Sequence, residues 1–147
     1  MITEVTTITD ALSIVPMETE QKGKESPLSM PVKERLEWLN HLLNGFPYLL
    51  GAEFKFLVSS NEGKVDGYIM VGFVASKVKH FHRATIYRMW SEKQEILEEL
   101  LGIVEERAKE AKIRIIGWEM DKGSPMKEWT EKLGFVEATE VFERRLR

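Results

Sequence analysis

Apolar positions along this chain change period several times, and each change marks an element. Residues 53–59 alternate, with Phe54, Phe56 and Val58 on one side, and 65–75 alternate in the same way through Val65, Gly67, Ile69, Val71 and Phe73. Between them Asn61, Glu62, Gly63 and Lys64 supply turn chemistry, with Gly63 available for a positive φ, so a β-hairpin is predicted. A connection bearing two lysines, 74–80, leads into a third strand that begins at Phe81 and runs through 83–90, completing an antiparallel meander. From Ser91 the period becomes helical: Ile96, Leu97, Leu100, Leu101, Val104, Ala108 and Ala111 form one stripe, opposite mostly Glu, Lys and Arg, as in a helix laid on a sheet. Residues 113–120 place Ile115, Gly117 and Glu119 on one side and Ile116, Trp118 and Met120 on the other, a largely apolar pattern that predicts an interior strand. Strand, helix and strand make a crossover unit whose two strands lie parallel with a right-handed connection.

The flanks are less regular. Residues 1–9 are rich in Thr, Val and Ile and predict an edge strand, after which Asp10 caps a short helix at 11–17. Residues 18–29 carry hardly an apolar side chain to offset the entropy of ordering, which predicts a mobile loop. Pro31 opens a helix at 32–43 with Val32, Leu36, Leu39 and Leu43 on one face, ended by Gly45 and Pro47. Downstream, Ser124 and Pro125 start a helix that buries Met126, Trp129 and Leu133, Gly134 closes it, and 135–138 and 140–146 read as two short strands. The fold class is α+β, an α/β sandwich: a mixed, mostly antiparallel sheet with helices on both faces and one parallel strand pair, in a single domain over 1–147.

Composition narrows the function. A chain of 147 residues with 43% hydrophobic and 31% charged positions has the make-up of one globular domain, and its net charge of −3 gives no general attraction to nucleic acid or to an anionic membrane. The absence of cysteine excludes disulfides, thiolate nucleophiles and cysteine-ligated zinc. Residues 1–10 lack the basic and apolar regions of a signal peptide and no apolar run reaches 18 residues, so a cytoplasmic protein is expected.

The order of elements resembles that of the GNAT superfamily of acyl-CoA N-acyltransferases. Three stretches carry the resemblance: the hairpin Asn-Glu-Gly-Lys-Val-Asp-Gly-Tyr-Ile-Met-Val-Gly-Phe at 61–73, the pentapeptide Glu131-Lys132-Leu133-Gly134-Phe135, and the terminal strand at 140–146. It implies a GNAT-like N-acetyltransferase with acetyl-CoA as acyl donor, a small-molecule or peptide amine as acceptor, a cleft between the two parallel strands, and room for a homodimer. The family follows the strand at 83–90 with a basic, glycine-rich loop whose N–H groups hold the coenzyme A pyrophosphate at a helix start. No glycine lies between Gly72 and Gly102 here. In its place stands Ser91-Glu92-Lys93-Gln94, of the form of a capping box, with Ser91 taking the N–H of Gln94 and Gln94 reaching back. Glu92 and Glu95 add negative charge there, opposed by Lys93, so weak acetyl-CoA binding is expected. The Asn before the family's fourth helix and the Tyr within it correspond here to Gly123 and Thr130.

Candidate chemistry follows from what an acyl transfer needs: a base for the amine and an acid for the departing thiolate. Glu119 is the candidate base, its ordinary reading being a solvated or salt-bridged carboxylate. Tyr87 is the candidate acid, its ordinary reading a packed strand tyrosine. Met89, Trp90, Ser91, Lys93 and Gln94 are the candidate cofactor contacts. His80 and His82 share one side of an extended segment but have no third metal ligand in view. Trp38, Trp90, Trp118 and Trp129 read as core or interface material, with Trp90 and Trp118 placed to line the cleft. Two functions stay open: an acyltransferase, and a non-catalytic module that keeps the fold for a partner.

Overall fold

A computed structural model describes residues 1–6, 52–76, 81–120, 126–138 and 144. Its strands are β1 (Ile2–Glu4), β2 (Ala52–Asn61), β3 (Lys64–Ser76), β4 (Phe81–Ser91) and β5 (Ile115–Trp118), and its helices α1 (Gln94–Glu110) and α2 (Lys127–Lys132). The strands stand in one sheet in chain order, β1-β2-β3-β4-β5. Every neighbouring pair is antiparallel except β4 and β5, which are parallel. The mixed sheet, the meander and the single parallel pair are therefore as the periodicity predicted. The segments expected at 11–17, 18–29, 32–43 and 140–146 lie outside the described residues, residue 144 apart.

Register explains the layers. Leu57 pairs with Ile69, and Ile69 with Met89, while Val71 pairs with Ile86; this face meets α1 through Leu97, Leu100, Leu101, Val104 and Ala108, all buried. Each such side chain contributes roughly 1.5–3 kcal/mol for Leu and Val, less for Ala. At the rim of that face Arg107 of α1 pairs with Glu53 and lies 5.8 Å over the Phe73 ring. Burial alone would raise the Glu53 carboxyl, but Arg107 and Lys55 together hold it below its ordinary value. The opposite face buries Phe56, Val58, Tyr68, Met70 and Trp90, with the Phe56 and Tyr68 rings 6.2 Å apart and Arg88 Nε donating to Tyr68 Oη at 3.0 Å.

The turns are sharper than predicted. Asn61 and Lys64 are paired across a two-residue loop, and both Glu62 (φ 53°) and Gly63 (φ 78°) are left-handed, which is a type I′ turn matched to the strand twist. Gly134 (φ 83°) ends α2 as expected, with Phe135 N–H on Thr130 O at 2.8 Å and Gly134 N–H on Glu131 O at 3.1 Å. Lys112 (φ 59°) makes the same closure after α1 without a glycine. The strand predicted at 135–138 does not form. Phe135 is held by its ring against Trp118, centroids 5.6 Å apart, and Val136 next to it is 85% exposed. β5 is the last strand of the described sheet.

Candidate active-site cleft

The two parallel strands separate partway along. Their pairing runs from Arg83 opposite Ile115 to Ile86 opposite Trp118, and Glu119 N–H adds a last bond to Ile86 O at 3.2 Å. Beyond it β4 continues to Ser91 against β3 alone, with no strand on its β5 side among the described residues. The separation coincides with a bulge. Val71 faces Ile86 and Met70 faces Arg88, so Tyr87 is the extra residue of β4, and such an insertion increases twist and re-aims the side chain. An extended ligand pairs with backbone N–H and C=O groups along a strand edge of this kind.

Tyr87 and Glu119 both lie at this opening, Tyr87 following Ile86 in β4 and Glu119 bonded through its N–H to Ile86 O. Tyr87 is half-buried and Glu119 exposed. The phenol is pushed above its ordinary 10.0, first by burial and then by the negative charge of Glu119. Both candidate groups thus stand at the end of the β4–β5 pairing, close enough for the carboxylate charge to act on the phenol.

The helix start differs from the expected capping box. Ser91 is the last residue of β4, fully buried; its hydroxyl donates to Asp66 O at 2.8 Å and accepts Lys93 N–H at 3.1 Å. Lys93 is the N-cap, no side chain caps the helix, and Gln94 Nε2 donates to Glu98 Oε1 at 3.0 Å rather than reaching back. The cause is packing. Ser91 pairs with Gly67, and a Cβ at 67 would fall 2.6 Å from Ile96 Cγ2 and 3.2 Å from Ser91 Cβ. The first turn of α1 sits directly on β3 only because 67 is glycine, and Ser91, caught between them, bonds to the backbone at hand. Ser91→Ala is expected to cost about 1–3 kcal/mol, since it strips a buried carbonyl and a nearby N–H of their partner; chemical denaturation measures it, and an unchanged midpoint would deny the serine this role.

No family model matches the chain, and no curated protein matches it. Solved structures do. A ribosomal-protein-alanine N-acetyltransferase from Brucella melitensis biovar Abortus 2308 is 12% identical with a TM-score of 0.67, covering 99% of both chains. An aminoglycoside acetyltransferase from an uncultured soil metagenomic sample, solved with sisomicin, is 17% identical with a TM-score of 0.71, covering 100% of this chain and 96% of its own. A transcriptional regulator from Bacillus halodurans C-125 is 22% identical with a TM-score of 0.66, covering 99% of both. The chain has the GNAT fold.

Within that GNAT fold the remaining candidates are placed unevenly. The side chains of Met89 and Trp90 are core, 2% and 6% exposed, so with Ser91 they have only backbone to offer a ligand. Lys93 and Gln94 are exposed at the helix start, as are Glu92 and Glu95. Trp90 pairs with Tyr68 on one face, whereas Trp118 pairs with Ile86 on the α1 face, so the two tryptophans do not share a wall of the cleft. Thr130 Oγ1 donates to Lys127 O at 2.6 Å; Gly123 and His80 lie outside the described residues. Among the described residues no group of three or more His, Asp or Glu could hold a metal, and no helix is long and apolar enough to cross a membrane. A groove of about 320 Å³ floored by Leu101, Ala108, Ile113 and Ile116 lies at the opposite end of β5 from Glu119 and carries no candidate chemistry. Sequence reasoning missed Arg83, whose guanidinium lies over Gly117; the one signal was a glycine inside an otherwise apolar strand.

Proposed function

We propose that this chain transfers an acyl group from acyl-CoA to an amine. The observation that carries the reading is the parting of β4 from β5 after Ile86 and Trp118, with Tyr87 and Glu119 at the point where the strands open. In the reaction an acyl-CoA supplies a thioester. Glu119, open to solvent, takes the proton that the attacking amine gives up as its C–N bond forms. Tyr87, still protonated, gives its proton to the sulfur as the C–S bond breaks, and recovers one from solvent. Beyond the last bond to β5, the backbone of β4 at Met89 and Trp90 suits the amides of a pantetheine arm. The uncapped first turn of α1 suits a diphosphate, while Glu92 and Glu95 oppose it and Lys93 favours it.

The overturned capping box changes the expected affinity: a diphosphate has no side-chain cap to displace, and only charge counts against it. Acetyl-CoA at about a hundred times its dissociation constant should add about 2.7 kcal/mol of stability, a melting shift of several degrees for a domain of this size. Thermal denaturation with acetyl-CoA tests this. No shift at millimolar acetyl-CoA would favour the second reading, a non-catalytic GNAT-fold module, for which the two carboxylates at the helix start are the supporting observation.

A further inference from the structure

We infer that Arg83 is the anion-binding residue of the acceptor site and that the acceptor is a small zwitterion, an amino acid whose carboxylate rests on Arg83 while its amine faces Glu119. The inference rests on the proposed acyl transfer to an amine. Arg83 precedes the cleft on β4 and is half-buried; its Nε is wholly buried and has no hydrogen-bond partner. Its guanidinium turns an edge toward β5 at Gly117, where a Cβ would stand 3.0 Å from Nε, 2.9 Å from Cζ and closer still to Nη2. A glycine in an apolar strand marks a close approach, and here what approaches is a cation. The berth fixes the guanidinium against Gly117 with Nε buried, which leaves its terminal nitrogens as the donors a carboxylate would meet.

Position supplies the second half. Register puts Arg83, Thr85, Ile115 and Gly117 on the sheet face away from α1, and alternation puts Glu119 on that face, next along the strand after Gly117. Two residues of extended parallel chain span about 6.6 Å. Among the described residues no ion pair joins Arg83 to Glu119, and the backbone places this cation and this anion on the same side of the sheet, offset by about that distance along β5. A ligand with an ammonium at one end and a carboxylate at the other spans such an offset, its amine held beside Tyr87 at the opening where the acyl donor enters. Paired strands floor the acceptor and parted strands admit the donor, so the two substrates do not compete for backbone groups.

The test compares ligands that differ only in the carboxylate. Glycine, β-alanine and γ-aminobutyrate are each titrated calorimetrically against their carboxamides, with the wild-type protein and with Arg83→Gln and Gly117→Ala, and melting curves confirm that the variants fold. At least one acid should bind wild type about 10- to 100-fold more tightly than its amide, the worth of a charge-assisted pair. Arg83→Gln should erase that ratio and leave the amide's affinity within about twofold. Gly117→Ala, which keeps the arginine but fills its berth, should erase it as well. Equal binding of acids and amides by wild type, or a ratio that survives Arg83→Gln, overturns the inference. Acetyl-CoA melting shifts on the same samples separate the two claims: a shift without carboxylate preference leaves acyl transfer standing and Arg83 without this role, and carboxylate preference without a shift does the reverse.

Discussion

Glu119→Gln is expected to lower kcat for amine acylation by about 10²- to 10⁴-fold, the usual worth of a positioned general base, while the affinity for acetyl-CoA stays as it was. The pH profile distinguishes this from a structural effect. In the wild type the Tyr87 phenol titrates above its ordinary 10.0, so the alkaline limb of kcat should lie above that pH. Removing the Glu119 charge takes away the smaller of the two causes and leaves burial, so the limb in Glu119→Gln should move down toward 10.0 without reaching it; Tyr87→Phe should abolish it. The same shift bears on stability. The folded state holds this proton more tightly than the unfolded one, so its contribution is fully present below about pH 10 and is lost as pH rises through the folded value. A kcat within threefold of wild type for Glu119→Gln would remove the carboxylate from the reaction.

Neutralising the helix start should improve acyl-CoA binding and weaken the protein at once. Each carboxylate near the N-terminus of α1 is worth about 0.3–1 kcal/mol with the helix dipole, and each opposes a diphosphate by a similar amount. Glu92→Gln with Glu95→Gln should therefore tighten acetyl-CoA by about 3- to 30-fold at 1.4 kcal/mol per decade, while the melting temperature of the unliganded protein falls. The gain should shrink as salt is raised from low ionic strength to 0.5 M, because these side chains are exposed. Calorimetry at two salt concentrations reads both effects. Unchanged or weaker binding by the double variant would mean that the diphosphate does not sit at this helix.

Much of the architecture was legible because periodicity is a property of whole segments. The alternation of β2 and β3, the stripe of α1 and the left-handed stop at Gly134 each follow from residues that decide locally, and the parallel pair follows from the length of the crossover. The helix start was misread for the opposite reason. Ser91 and Gln94 have the spacing of a capping box, but the outcome was decided by Gly67 and Asp66 on another strand, which draw Ser91 into the sheet. Glu62 and Lys112 adopt left-handed backbone that their side chains do not advertise. Glu119 and Tyr87 were picked out separately by residue type; that they lie at the same opening depends on the register of β4 against β5 and on a bulge, neither written in any one stretch. Arg83 alternates like a solvated strand cation, and only the glycine far along the chain gives it a floor.

The agreement between strand order and chain order has a consequence for how the molecule is assembled. Each of β3 and β4 finds its partner in the segment made just before it, so the meander closes through short loops and carries little of the entropy that slows long-range sheets. The parallel partner comes last, after the whole of α1 has been laid down, and no local turn can deliver it. Among the described strands, the cleft therefore depends on a pairing that no short turn can set up. A chain truncated before residue 113 holds Tyr87 on a strand paired with β3 alone and lacks Glu119, so under the proposed mechanism it has the acid without the base.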